Sequence, residues 1–389
     1  MSEATRDYDL LVFGATGFTG GMTAEYLARH APPELRWAIA GRSASKLQSV
    51  KERLLALNPA CAAVGCVEAS VDDPESLQRM AAKTRVLITT VGPFIDYGEP
   101  VVRACVEQRT DYIDSTGEPN FLRLLFGRYA EAAEQRGVRL VPCCGFDSIP
   151  ADLGALFTVL QLPSDQPIEL SGFMSVKAQF SGGTERSAIK SAAPPEPGLP
   201  APEFRASDGR RVAMLPTKVE HRREFGQWST PLPTVDATVV LRSASKLRRY
   251  GPDFRYGHNA LHASFGIMLA AFVVFGLLGV LARFKPTREF LLKVVKKSGQ
   301  GPSQATMAES WFKLRFIAKC AGKTLQTEVS GGDPGYAETS KMLAESGMCL
   351  AQDRDSLPNA AGVLTPAHAM GEALLARLQR AGLSFRVLS

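Results

Sequence analysis

The residues best suited to do chemistry stand close to the start of the chain, in Gly14-Ala15-Thr16-Gly17-Phe18-Thr19-Gly20. The apolar run Tyr8 to Phe13 precedes them and an amphipathic run, Phe18 to Arg29, follows. Glycines between a strand and a helix allow a tight turn and let the backbone approach a diphosphate. The phosphate charge then rests on the helix N-terminus. The second apolar run ends Ala40-Gly41-Arg42-Ser43. An acidic residue at that place usually holds the ribose hydroxyls of the unphosphorylated dinucleotide, whereas an arginine accommodates a 2′-phosphate. Arg42 offers a planar bidentate donor and Ser43 a hydroxyl, which favours NADP(H) as cofactor; the other reading of Arg42 is a solvated surface residue.

Val91-Gly92-Pro93 follows the fourth strand, either at the edge of the nicotinamide pocket or as a turn that stops the strand. Two further polar groups close strands, Asp111 to Glu118 and Cys144 to Pro150. Ligands of open parallel sheets bind at such carboxyl ends, which makes Tyr112, Asp114, Asp147 and Ser148 the catalytic candidates. Asp147 and Ser148 are equally suited to cap a helix beginning near Pro150.

The elements that must position these residues alternate through the first 150 residues. Strands are expected at Tyr8 to Phe13, Arg36 to Ala40, Val64 to Glu68, Val86 to Val91, Tyr112 to Asp114 and Val138 to Pro142, with helices between them. The fold class is α/β: an N-terminal doubly wound parallel Rossmann sheet, then a second α+β lobe. In that lobe, 151–335, strands are expected at Ile168 to Phe180, Thr234 to Arg242, Ser310 to Lys319 and Thr324 to Ser330, the last two as a hairpin turning at Ala321-Gly322-Lys323. The proline-rich stretch 193–203 reads as a mobile loop, and two helices in 336–389 close the chain.

Phe265 to Ala282 runs eighteen residues without a charge. As a helix it would measure about 27 Å, near the thickness of a bilayer's hydrocarbon core. Basic residues flank it on both sides, Arg248, Arg249 and Arg255 before and Arg283, Lys285 and Arg288 after. A spanning helix normally has its basic residues on one side only, and here both flanks are basic. A shallow or re-entrant membrane contact over 260–282 is therefore expected, with both flanks in the cytoplasm; a helix buried in the core or in a homodimer interface is the alternative.

Several classes of function are excluded or disfavoured. The formal charge of +6 is modest, and no nucleic-acid partner is expected. The seven cysteines form no repeated ligand pair, so no metal is expected and a reduced cytosolic interior fits. Ser2 to Asp9 are polar and acidic, unlike a secretory leader. None of the eight tyrosines is followed four residues later by lysine, so the usual acid of short-chain dehydrogenases is missing. No Gly-x-Ser-x-Gly elbow suggests a hydrolase.

Gly14–Gly20, Tyr112–Glu118, Cys144–Gly154, Gly332–Leu350 and Gly362–Pro366 together resemble the saccharopine dehydrogenase-like oxidoreductases, in the branch of the bacterial trans-acting enoyl reductases. The stretch Cys-Gly-Phe-Asp-Ser-Ile-Pro-Ala-Asp-Leu-Gly is the most specific part of the resemblance, which spans nearly the whole chain. It implies a Rossmann domain, a nicotinamide cofactor and a lipid-linked substrate, in mycobacteria a polyketide-derived intermediate of cell-envelope glycolipids. The expected activity is hydride transfer from NADPH to an enoyl or carbonyl group of a lipid-like substrate, at the cytoplasmic face of a membrane. A saccharopine-type amino-acid dehydrogenase is the variant within the class. A non-catalytic NADP(H)-sensing or lipid-surface adaptor is the rival outside it.

Overall fold

The computed structural model describes residues 6–179, 182–191, 194, 197–199, 203–294 and 302–388. The stretch 193–203 lies largely outside them. The chain divides into two compact units that are interleaved along the sequence. The first takes Met1–Thr116, Phe121–Phe146 and Tyr336–Leu378; the second takes Gly117–Asn120, Asp147–Gly335 and Gln379–Ser389. These bounds differ from the consecutive stretches 1–150, 151–335 and 336–389 read from the sequence.

The first unit is built on a seven-stranded parallel sheet. Its strands run in the order Gly362–Val363, Arg139–Val141, Asp111–Asp114, Thr84–Thr89, Tyr8–Phe13, Trp37–Gly41 and Gly65–Glu68. Leu10, Val12, Ile39, Val86, Ile88 and Ile113 are all fully buried. Continuous apolar strands of this kind suit a sheet covered on both faces. The helix Ala337–Gln352 belongs to this unit: a Cβ at Gly347 would come within 2.6 Å of Ile88 and 2.8 Å of Leu10, so only glycine lets the helix lie so close to the central strands.

The second unit holds an eight-stranded mixed sheet. Its main path is Ser384–Val387, Lys323–Gly331, Trp311–Cys320, Ile168–Lys177, Asp253–His262, Gln227–Pro231 and Glu220–Arg222, with Arg211–Met214 pairing alongside Asp253–His262. The expected hairpin is present. Ala321 and Gly322 both take positive φ, 49° and 76°, as a tight turn with primed geometry requires. The helix Ile149–Val159 packs on the sheet through Gly154, where a Cβ would come within 2.5 Å of the Phe316 ring. Thr158 and Thr327 share a hydroxyl hydrogen bond of 2.6 Å.

The strand expected at Thr234 to Arg242 is instead a helix, Asp236–Lys246. Its β-branched residues suggest a strand, but Ala237, Val240, Leu241 and Ala244 recur at helical spacing and all four are buried. The apolar segment is the helix Phe265–Arg283, capped by Ser264, whose Oγ accepts from the Ile267 amide at 3.3 Å. Residues 260–262 belong to the preceding strand, which trims the expected 260–282 segment at its start. Among the described residues of this helix only Met268 and Ala282 are buried, while Val273 is 60% and Leu277 58% exposed.

Candidate functional site

The glycine turn has the geometry its composition suggests. Gly14 sits at φ +90°, and a Cβ there would come within 2.7 Å of Thr90 Oγ1 and 2.9 Å of Val91 Cγ2. Its amide donates to Ala40 O at 2.9 Å, and the Gly17 amide donates back to Gly14 O at 2.9 Å. A Cβ on Gly20 would collide with Gly14 O and Thr90 Oγ1. No side chain caps the helix Phe18–His30 that follows. Its first-turn amides, left over by helix geometry, are thus available to an anion.

The remaining cofactor candidates divide. Ala15 is buried, and Thr16 and Gly17 are exposed at the turn. Phe18 turns its ring edge-on to Tyr336 at 4.8 Å, and Thr19 O accepts from Thr23 Oγ1 at 2.9 Å and Ser340 Oγ at 3.3 Å. The Phe18 ring and the Thr19 carbonyl fasten the turn within the unit.

Thr16 lies beside the end of the second strand, 3.4 Å from where a Cβ on Gly41 would stand. Arg42 is exposed there and makes no hydrogen bond or ion pair among the described residues. Ser43 caps the helix Ala44–Leu57, its Oγ accepting from the Lys46 amide at 3.4 Å. The same hydroxyl shares a hydrogen bond of 3.1 Å with Ser45 Oγ. Val91, Gly92 and Pro93 follow the strand Thr84–Thr89, with a cis Gly92–Pro93 peptide ahead of the helix Phe94–Gln108. The contact between Val91 and Gly14 sets this turn against the glycine turn.

Two of the four catalytic candidates, Tyr112 and Asp114, are hydrogen-bonded to each other inside the protein. Tyr112 and Asp114 are fully buried, and the phenol donates to Asp114 Oδ2 at 2.7 Å. Oδ1 accepts from the amides of Thr116 at 2.8 Å and Cys143 at 3.0 Å. Burial first, and then Asp114, push the Tyr112 hydroxyl well above its ordinary range. The carboxylate pins two strand ends together. Ser148 is likewise fully buried, its Oγ donating to Asp147 O at 2.6 Å, and it does not cap the helix that follows it.

Asp147 is different. It is exposed at its surface, yet its carboxyl lies against Gly117, where a Cβ would stand 2.9 Å from Asp147 Cγ. Crowding by protein removes water, and the charges of Asp236 and Glu118 add to this, so that the carboxyl is pushed up to about 7. Burial pushes Asp236 up to about 7 as well. Glu118 accepts a hydrogen bond from Ser187 Oγ at 2.8 Å. Behind Asp236 stands His258, with Nε2 3.9 Å from Asp236 Oδ2 and Nδ1 2.7 Å from the Tyr256 hydroxyl. Burial pulls His258 down to about 4, so the ring is neutral at pH 7. Asp236, Tyr256 and His258 were not legible as site residues, because the segment carrying Asp236 reads as a strand. Its available signal was an acidic residue just after Pro233-Thr234, the start of a helix. Among the described residues no cluster of His, Cys, Asp and Glu could hold a metal ion.

Residues 10–141 match the family model of the saccharopine dehydrogenase NADP binding domain. A Mycobacterium tuberculosis protein provisionally described as a trans-acting enoyl reductase is 36% identical over 427 residues, covering 99% of each chain. The trans-acting enoyl reductase of Mycobacterium bovis is 35% identical, covering 98% of each. The mouse saccharopine dehydrogenase-like oxidoreductase is 32% identical over 100% of this chain and 99% of its own. Among solved structures, apo saccharopine dehydrogenase (L-Glu forming) from Saccharomyces cerevisiae matches with a TM-score of 0.56 at 13% identity, over 98% of this chain and 99% of that one. At such low identity the likeness bears on the fold.

Proposed function

This chain belongs to the saccharopine dehydrogenase-like oxidoreductases, the family that takes in the trans-acting enoyl reductases, and on that premise we propose that it reduces an enoyl or carbonyl group of a lipid-like substrate. It is an NAD(P)H-dependent oxidoreductase and its cofactor is NADP(H). The glycine turn fits that cofactor, because only glycine at Gly14 and Gly20 lets the turn pack this tightly against Thr90 and leaves the uncapped amides at the start of the helix Phe18–His30 for a diphosphate. Arg42 is free to meet the 2′-phosphate. When bound, NADPH supplies the hydride. Addition to the β-carbon of an enoyl thioester builds charge on the carbonyl oxygen, and a proton must then reach the α-carbon. Asp147 is an exposed carboxyl pushed up to about 7, where its protonated and ionised forms are both present near neutrality.

The observation that carries the lipid-like substrate is the exposed apolar helix Phe265–Arg283. Water does not favour a helix that is apolar on nearly every face, whereas acyl chains do. The strand before it, Asp253–His262, and the strand after it, Trp311–Cys320, both pair with Ile168–Lys177 in one sheet. Both ends of the helix therefore return to the same side, which supports shallow insertion over a crossing. Arg283, Lys285 and Arg288 supply attraction to anionic headgroups at a cytoplasmic membrane face.

NADPH oxidation with trans-2-dodecenoyl-CoA, in the presence of anionic vesicles, tests the reading. Turnover is expected there, with none when saccharopine and NADP⁺ are supplied instead. The reverse pattern would establish the amino-acid dehydrogenase, and NADPH binding without turnover on either would establish the adaptor. A stable dimer that ignores vesicles would assign the helix to a homodimer interface.

A further inference from the structure

The sequence holds three tryptophans, and their surroundings differ. Trp37 is buried in the parallel sheet at 7% exposure, whereas Trp311 is 39% exposed and Trp228 is half-buried. Strand pairing places the last two at one end of the eight-stranded sheet. Ile168–Lys177 and Asp253–His262 run parallel, Ile168 beside Phe254, so they finish at the same end. Trp311 opens its strand opposite Lys177, and Trp228 stands opposite His262. Three strand spacings, about 14 Å, separate the two strands that carry them. Their side chains lie on opposite faces of the sheet. Trp228 shares the face of His262, Met174, Val176 and the fully buried Phe312, and Trp311 precedes Phe312 on the other face.

The apolar helix Phe265–Arg283 leaves from this same end, just beyond His262. Phe265 meets the Trp228 ring edge-on at 5.3 Å, and Val176 in the neighbouring strand is exposed. On the other face Lys313 Nζ stands 5.8 Å from the centre of the Trp311 ring. Between Phe265 and Val294 the chain carries four basic residues and one acid. The far end of the sheet is unlike this one. There the Trp311 strand finishes in the exposed Lys319 and the buried Cys320, and the chain turns at Ala321-Gly322. An indole has an apolar body and one N–H, and it settles at the level between headgroups and acyl chains. A protein partner packed on the sheet would recruit one face of it. Tryptophans on both faces of one end, around the base of an apolar helix, mark a depth instead.

We propose that this end of the eight-stranded sheet stands at the surface of an anionic bilayer, its strand ends toward the lipid, with Trp228 and Trp311 at headgroup level and Phe265–Arg283 among the acyl chains. This rests on the membrane contact proposed above, and it adds which surface faces the lipid and at what depth. Lys313 then reaches the headgroup phosphates beside Trp311. Lys319, about 27 Å along the strand from Trp311, stays in the cytoplasm.

Tryptophan fluorescence of the full-length protein tests this on vesicles of phosphatidylglycerol and phosphatidylcholine, the phosphatidylcholine brominated in the upper part of its acyl chains. Bromine quenches an indole only at close approach. Trp228→Phe and Trp311→Phe each leave one of the two rings beside Trp37, and the double variant leaves Trp37 alone. Trp228 and Trp311 are each expected to emit at shorter wavelength on plain vesicles and to lose most of that emission on brominated ones. Trp37 should be unaffected. Lys319→Trp, placed in the double variant, should add emission that neither vesicle changes. Trp311→Ser should weaken vesicle binding by about tenfold, and Trp311→Phe by much less. Flotation of the same samples separates the two ways of failing. Protein that floats with the vesicles while Trp228 and Trp311 keep their emission would overturn this orientation and leave the helix contact standing. Quenching in Lys319→Trp as strong as that of Trp311 would overturn it equally. Protein that does not float would overturn the membrane contact and the orientation together.

Discussion

Replacing Arg42 isolates the contribution of one side chain to cofactor choice. In the cofactor-free chain this guanidinium is exposed and engaged by nothing among the described residues, so its removal breaks no internal ion pair. Whatever is lost then appears in binding. A hydrogen bond to a charged group contributes about 1.5–3 kcal/mol, and solvent exposure places this one near the lower end. Arg42→Ala should therefore weaken NADPH by about tenfold and leave NADH nearly unchanged. Arg42→Asp goes further, because it sets a carboxylate against the 2′-phosphate. At surface dielectric and about 5 Å that repulsion adds on the order of 1–3 kcal/mol, enough to invert the preference. Calorimetric titration of both dinucleotides at low and high salt measures it, and the gap between NADPH and NADH should narrow with salt. Equal affinities in the unsubstituted protein, or an unchanged ratio in Arg42→Ala, would refute the assignment of the 2′-phosphate to Arg42.

Other substitutions test the remaining parts. Phe272, Val273 and Leu277 changed together to serine should release the protein from anionic vesicles, whereas salt alone should loosen it only partly; flotation assays read both. Gly117→Ala forces the Asp147 carboxyl aside, so turnover should fall by about tenfold to a hundredfold while NADPH affinity and melting temperature hold. The pH dependence of stability has a definite sign. Asp147 binds its proton more tightly in the folded state, at about 7 against an ordinary 3.8, so its contribution is present at low pH and is lost as pH rises through 7. His258, held down at about 4 against an ordinary 6.5, contributes above 6.5 and loses that contribution as pH falls. Asp147→Asn should thus gain melting temperature relative to the unsubstituted protein between about pH 5 and pH 8, and a constant difference would contradict the raised carboxyl.

The parts of the site that announce themselves in the sequence are those whose chemistry is in the backbone. Gly14 and Gly20 are needed because a Cβ would strike the neighbouring turn, and an arginine after the second strand is a local signal. The four catalytic candidates were found by the same rule, that strand ends carry ligands, and the rule does not separate a buried staple from a reactive group. Tyr112 and Asp114 read as polar strand-end residues in one dimension, and only the structure shows the phenol and two amides gathered on the one carboxylate. The partners of Asp147 were hidden for another reason. Val239 and Val240 favour a strand locally, and only burial against neighbouring elements selects the helix that begins at Asp236. The strands Arg211–Met214, Glu220–Arg222, Gln227–Pro231 and Asp253–His262 went unread because short, polar or mixed strands leave little periodicity.

The interleaving of the chain has a consequence for synthesis. The central strands Tyr8–Phe13 and Thr84–Thr89 leave the ribosome early, but the helix that seats Gly347 on Leu10 and Ile88, and the edge strand Gly362–Val363, come in the last seventh of the chain. The nicotinamide-binding unit cannot close until translation is nearly finished. Through that interval its most apolar face waits uncovered, which exposes it to aggregation and gives a chaperone its longest opportunity. Any truncation that removes the C-terminal segment should therefore disable the N-terminal cofactor site, although no residue of that segment is part of the glycine turn.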